Sequence, residues 1–193
     1  MKKLVFINAC IRQDASRTWR IAAPLLQELS KRYSIEQIDL TEQSLAPVTK
    51  ELYLSRGNQG LSAQDLAWGR AVAAADRIVI AAPFWDMSFP SVLKVFFEHV
   101  SAPDLTFRNQ ADGSTIGNCK AEKLLYLTTR GMTIPTGAPL DQGTPYIKAL
   151  CWLWGIGQVE TLAVCGTDVK PHDQIEAEIT AAIEQGLKIC EDF

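Results

Sequence analysis

The chain is poor in the groups that build metal and disulfide sites. Histidine occurs twice, as His99 and His172, without paired spacing, so a zinc site has no ligand set. The five cysteines, Cys10, Cys119, Cys151, Cys165 and Cys190, are scattered, odd in number and form no C-x-x-C. Reduced thiols in a cytoplasmic protein are the simplest reading. No run of Lys or Arg breaks a net charge of -3, which argues against nucleic acid and anionic membrane as partners. No apolar stretch approaches a membrane span. The opening MKKLVFINACIRQDAS has too short an apolar run for a signal peptide, and Asn8 and Arg12 interrupt it. Neither G-x-G-x-x-G nor G-x-x-x-x-G-K-[ST] occurs, so a dinucleotide pyrophosphate turn and a P-loop both lack support.

What is present is apolar patterning. With 193 residues and 47% hydrophobic content, a single domain over residues 1–193 with a sizeable core is expected. The segment Arg77–Val100 organises the rest. Ile78-Val-Ile-Ala-Ala82 has no polar alternation and predicts a strand buried on both faces. Pro83-Phe-Trp-Asp-Met-Ser88 reads as the exposed loop at its end. Leu93, Phe96, Phe97 and Val100 then recur at helical spacing after Pro90. Further strands are expected at residues 3–8, 34–40, 123–129 and 159–165. Helices are expected from Ser16 to about Tyr33, from Ser62 to about Ala75, over 144–154 and over 173–190. Residues 41–61 form a surface excursion, helical in part around 50–55. Residues 103–120 hold a short extended piece and a turn at 111–114, and 130–143 form a second long loop.

Strands alternating with helices predict an α/β doubly wound protein: three layers, a five-stranded parallel sheet and helices on both faces. The Rossmann order 3-2-1-4-5-6 loses its support with the missing glycine turn. The flavodoxin-like order 2-1-3-4-5 remains, and it sets the loops after strands 1 and 3 side by side. At the first, Ser16-Arg17-Thr18 opens a helix with two hydroxyls, a guanidinium and free N–H groups, a monophosphate site. At the second stand Phe84 and Trp85. One phosphate and one large flat ring describe FMN.

These segments resemble the FMN-dependent NADH azoreductase family, which overlaps in activity with NAD(P)H quinone reductases. The family's first loop ends in S-x-S, here Ser16-Arg17-Thr18. Its third-strand loop begins Pro-Met-[Tyr/Trp]-Asn, here Pro83-Phe84-Trp85-Asp86. Pro90, Leu93-Lys94, His99-Val-Ser-Ala and Thr106-Phe107-Arg108 follow the family pattern. Its Ser-Arg-Gly-Gly is Thr129-Arg130-Gly131-Met132 here, and Gly155-Ile-Gly157 matches a later segment loosely. The resemblance implies a homodimer with FMN at the subunit interface. It also implies two-electron ping-pong hydride transfer from NADH or NADPH, through FMN, to a quinone or azo acceptor. The cofactor-binding residues it implies are Cys10, Ser16, Arg17 and Thr18, then Pro83, Phe84, Trp85, Asp86 and Met87, and finally Thr129, Arg130, Gly131 and Met132. Cys10, Asp86 and Met132 depart from the family's serine, asparagine and second glycine.

No catalytic side chain is expected, because the cofactor carries the chemistry. His99 reads as a capping or surface residue, and the cysteines as inert small hydrophobes. A second reading, a flavodoxin-type electron carrier without a small-molecule acceptor, fits the net charge of -3 less well, since such carriers are strongly acidic around the flavin.

Overall fold

The computed structural model describes residues 1–193, apart from the side chains of residues 57–59. Its elements in chain order are β1 (Lys2–Asn8), α1 (Arg17–Leu29), β2 (Tyr33–Asp39), α2 (Lys50–Gln59), α3 (Ala63–Ala74), β3 (Arg77–Ala81), α4 (Ser91–Val100), β4 (Phe107–Asn109), β5 (Thr115–Gly117), β6 (Lys123–Arg130), α5 (Gly143–Trp154), β7 (Gln158–Cys165) and α6 (His172–Glu191). Five strands form one sheet in the order β2-β1-β3-β6-β7, and every pairing in it is parallel. Counting those strands alone, the order is the expected 2-1-3-4-5. The polar segment 103–120 adds a separate antiparallel ribbon, β4 with β5.

Side-chain alternation along the central strands divides the core in two. Val5, Ile7, Ile78, Ile80, Leu124 and Tyr126 face one side, where α3, α4 and α5 supply Trp68, Val72, Phe96, Phe97, Ile147 and Trp154. Leu4, Phe6, Val79, Ala81, Leu125 and Leu127 face the other, against Ile21, Leu25 and Leu29 of α1 and Ile175, Ile179 and Cys190 of α6. This double burial is why β3 shows no polar alternation: all five of its residues are buried. Edge-to-face contacts tie α4 and the residues just before it to α5, Phe89–Phe97 at 5.8 Å, Phe97–Trp154 at 5.8 Å and Phe89–Tyr146 at 5.3 Å between ring centroids. Each contributes roughly 0.5–1.5 kcal/mol beyond its buried area.

Helix ends follow local chemistry. The Ser62 hydroxyl accepts from the Asp65 N–H at 3.0 Å, the first half of the acidic capping box. The Asp65 carboxylate does not return to Ser62. It receives Arg56 Nη2 at 3.0 Å and lies 2.8 Å from His99 Nδ1. His99 therefore departs from the surface role expected of it. It is buried, and its Nε2 lies 2.9 Å from the Ala46 carbonyl, fastening the 41–49 excursion to α4. α5 stops at Gly155, whose φ of 77° is the left-handed conformation that glycine takes without strain. α1 ends at Leu29, earlier than its apolar stripe suggests, because Tyr33 already belongs to β2. Among the described residues, no helix is long and apolar enough to cross a membrane.

Candidate functional site

The carboxyl ends of β1, β3, β6 and β7 converge. β1 ends at Asn8, whose Oδ1 accepts the Cys10 N–H at 3.0 Å while its Nδ2 donates to Asp39 at 2.8 Å. One 3₁₀ turn, Gln13–Ala15, leads to Ser16. Ser16 caps α1 by accepting from the Trp19 N–H at 3.4 Å. The N–H groups of Arg17 and Thr18 lie in the first turn, where no intrahelical acceptor exists, so they remain open to a ligand. The Thr18 hydroxyl is fully buried, 2.7 Å from the Thr129 hydroxyl, and joins α1 to β6.

The loop after β3 keeps pairing with β6: the Phe84 N–H donates to the Thr129 carbonyl at 3.0 Å. It then reverses tightly. Trp85 and Ser88 exchange both backbone hydrogen bonds, at 3.1 and 2.8 Å, and the two residues between them, Asp86 and Met87, have φ of 47° and 66°. Positive φ at both central residues marks a type I′ turn, which favours Asn-Gly. Aspartate takes this conformation more readily than methionine, which pays the left-handed penalty here. Met87→Gly is expected to stabilise the protein by about 0.5–1 kcal/mol, because a left-handed penalty of roughly 1–2 kcal/mol exceeds the glycine entropy cost. The urea midpoint checks it, and a lower midpoint would show that Met87 side-chain packing outweighs the strain.

Between these loops lies a cleft of about 130 Å³, lined by Ser16, Arg17, Pro83, Phe84, Trp85, Thr129 and Gly131 together with Arg12, Thr167 and Asp168. The first seven of these are residues that the sequence nominated. Trp85 lines the cleft and is 41% exposed. Cys10 is buried behind the cleft with its thiol toward the Ala81 carbonyl, and burial pushes that thiol up to about 11. Asp86 and Met132 are exposed on turns beside the cleft, and Met87 is half-buried.

Arg130 stands under the cleft instead of in it. Its side chain is fully buried, with Nη1 donating to the Ile134 carbonyl at 2.9 Å and Nη2 to Asp141 Oδ2 at 2.9 Å and Thr144 Oγ1 at 3.2 Å. The guanidinium carbon lies 4.9 Å from the Phe84 ring centroid, a desolvated cation–π contact. Burial alone would raise the Asp141 carboxyl. N–H bonds from Gly137 and Thr144, the Thr144 hydroxyl and the Arg130 charge outweigh it and hold Asp141 below the usual carboxylate range. Arg130 thus braces the 131–142 loop and the back of the ring-side wall together.

Besides Arg12, Asp168 and Thr167 escaped sequence reasoning. The signal that could have found them is position: they follow the last residues of β7, at the same end of the sheet as the other loops. The Thr167 N–H donates to the Arg130 carbonyl at 3.0 Å and the Asp168 N–H to the Gly131 carbonyl at 3.1 Å, which sews the β7 loop to the β6 loop. A larger cavity of about 590 Å³, between Tyr53, Leu54 and Leu61 and the Ala102-Pro103 turn, lies past the carboxyl end of α4. α4 runs back along β3, so this cavity opens where the strands begin, away from the loops that bind ligands in such sheets.

An FMN-dependent NADH:quinone oxidoreductase from Clostridium perfringens is 26% identical over 201 residues, covering all of both chains. The solved structure of an azoreductase from Bacillus anthracis strain Sterne superposes with a TM-score of 0.85 at 20% identity, covering 100% of both chains. An FMN-dependent NADH-azoreductase from Bacillus anthracis strain Ames Ancestor, solved in complex with FMN, gives a TM-score of 0.79 at 19% identity over 98% of this chain and 100% of its own. At these identities the two structures establish the shared fold. Residues 2–188 match the family described as having a flavodoxin-like fold, and with nearly the whole chain inside that match the protein belongs to this family.

Proposed function

We propose that the chain is an FMN-dependent NAD(P)H oxidoreductase acting on quinones or azo compounds, built as one FMN-binding unit over residues 1–193. The observation that carries the reading is the pairing inside one cleft of an anion-binding helix start, Ser16-Arg17-Thr18, with the apolar wall Pro83-Phe84-Trp85. The donor set fits a phosphate: a hydroxyl at Ser16, two guanidinium groups at Arg12 and Arg17, and open N–H groups at a helix N-terminus. The wall fits a flat ring, and the missing side chain of Gly131 lets the Asp168 carboxylate lie against the facing loop. The full-length relationship to the Clostridium perfringens enzyme supports the same assignment.

When bound, FMN supplies the hydride chemistry that links NADH or NADPH to the acceptor. The chain's residues bind and orient. Ser16, Arg17 and Arg12 fix the phosphate end. Trp85 and Phe84 pack the ring, with Phe84 held from behind by Arg130. The backbone of 129–132 borders the ring edge, and Asp86, Met87 and Met132 shape the rim. Cys10 and Thr18 act through the shape of the phosphate loop, since both side chains are buried.

A cleft of about 130 Å³ is smaller than the ~300–1,000 Å³ of a complete ligand pocket, so it covers the phosphate end and one ring face only. A second copy of the chain is the cover we propose. Ile11, Met132 and Leu140, on neighbouring loops, are 44%, 44% and 57% exposed and supply apolar surface for it. Five free cysteines support a reducing compartment, the cytoplasm.

The test combines composition, mass and turnover. Purified protein should release FMN on denaturation, scatter light as about twice the 21.3 kDa chain mass, and oxidise NADH or NADPH with a quinone or an azo dye as acceptor. Release of FMN without turnover on any acceptor would leave the electron carrier instead. Absence of flavin on purification, with no binding on titration, would sink the reading altogether.

A further inference from the structure

The open N–H groups of Arg17 and Thr18 and the Arg17 guanidinium give one end of the cleft a positive character, and Arg12 also lines the cleft. A carboxylate lines the same end. Asp168 Oδ1 lies 3.2 Å from Arg17 Nη1, and this pair joins α1 to the loop after β7. The backbone that carries Asp168 is fixed. Its own N–H donates to Gly131, the N–H groups of Val169 and Lys170 both donate to the Gly166 carbonyl at 3.1 Å, and Gly166 takes a φ of 80°. The side chain is free by comparison, 73% exposed, with Arg17 as its partner. Its Oδ2 stands 2.1 Å from where a β-carbon on Gly131 would be, so the carboxylate fills the space left beside the ring-side loop. An exposed pair of this kind adds little stability, so the fold gains little by holding it there. Its effect falls on the ligand, because a phosphate monoester brings a charge near -2 to the same guanidinium.

We propose, resting on the flavin reading above, that Asp168 is an intrachain competitor for the phosphate subsite. Its carboxylate occupies Arg17 in the ligand-free protein and sets how tightly a phosphorylated flavin is held. FMN displaces it by giving Arg17 a doubly charged partner that also reaches Ser16 and the helix N–H groups. Riboflavin, which lacks the phosphate, leaves the Arg17–Asp168 pair in place. Asp168 therefore lowers the preference of the site for phosphorylated over unphosphorylated flavin, and it makes FMN exchangeable.

Full-length protein stripped of flavin, titrated with FMN and with riboflavin by fluorescence quenching, tests this. Asp168→Asn should tighten FMN binding up to about five-fold, the span that exposed ion pairs reach, and leave riboflavin unchanged. FMN affinity should also fall more steeply with added salt, because the subsite has gained one net positive charge. Asp168→Glu should keep the wild-type FMN affinity. In an Arg17→Gln background Asp168→Asn should lose most of its gain, since the competed group is gone. Weaker FMN binding in Asp168→Asn would overturn the proposal and make Asp168 a residue that positions Arg17. An equal change for both flavins would overturn it in favour of a loop-shaping role. Wild-type protein that binds neither flavin would overturn the flavin reading and this proposal together.

Discussion

Asp141→Ala is expected to destabilise the protein by about 3–5 kcal/mol, the range found when one partner of a buried ion pair is removed. Both side chains of the Arg130–Asp141 pair are fully buried, so the variant leaves the Arg130 charge with the Ile134 carbonyl, the Thr144 hydroxyl and the Phe84 ring as its company. The Thr136 hydroxyl, 3.5 Å from Arg130 Nη2, also remains, while the Gly137 and Thr144 N–H groups lose their acceptor. Asp141→Asn keeps an acceptor oxygen and should lose less. Replacing both partners by apolar residues of similar volume should recover much of the loss, because the cost lies in the stranded charge. The same pair gives an acid limb. The Asp141 carboxyl is depressed in the folded protein, so its contribution is complete above the unfolded carboxylate value of about 3.9 and is lost as pH falls through the folded value. Urea unfolding of the wild type between neutral and strongly acid pH should show that loss, and the Asp141→Ala profile should be flatter. An unchanged midpoint in Asp141→Ala at neutral pH would mean that water or a rearranged loop satisfies Arg130, and that the 131–142 segment is braced by other means.

This pair marks the boundary of what the sequence made legible. The sheet was readable because its signals are local: β3 runs apolar from Ile78 to Ala81 since both faces are covered, and Ser16 and Ser62 sit where helix starts need an acceptor. The order of strands was readable because the first loop lacks the glycines of a dinucleotide turn and holds Ser16-Arg17-Thr18. What stayed hidden depends on contacts across long sequence separations. Arg130 and a solvated loop arginine look alike in sequence, and only Asp141, Thr144 and Phe84 arriving from two other segments turn it inward. His99 likewise is buried by Asp65 and Ala46, which lie 34 and 53 residues away. Asp168 reaches the phosphate end of the cleft from the opposite half of the chain, 151 residues from its partner Arg17. In sequence Thr18 belongs with the phosphate ligands, because Ser16-Arg17-Thr18 sets two hydroxyls at a helix start and matches the S-x-S of the similar family. The structure instead gives its hydroxyl a partner within the chain, Thr129.

That placement changes which substitutions probe the phosphate. Ser16 does two jobs, and Ser16→Ala would remove both the helix cap and a donor to the ligand. Ser16→Gly separates them, since glycine at an N-cap costs only a few tenths of a kcal/mol. Ser16→Gly is therefore expected to leave the urea midpoint nearly unchanged while weakening FMN binding about ten- to hundred-fold. That loss equals one hydrogen bond to a charged group, roughly 1.5–3 kcal/mol. Arg17→Gln should weaken FMN less, because the Arg17 side chain is 33% exposed and its charge is partly screened. The double variant should lose on the order of a hundred- to a thousand-fold, with riboflavin binding affected by less than about three-fold. High salt should narrow the gap between wild type and Arg17→Gln but not the gap between wild type and Ser16→Gly, since a hydroxyl contact is short-ranged and a guanidinium attraction is not. Comparison with riboflavin is what gives the experiment its force. A general distortion of the α1 start would weaken both flavins alike, and that result would assign Ser16 to capping alone and move the phosphate away from this helix.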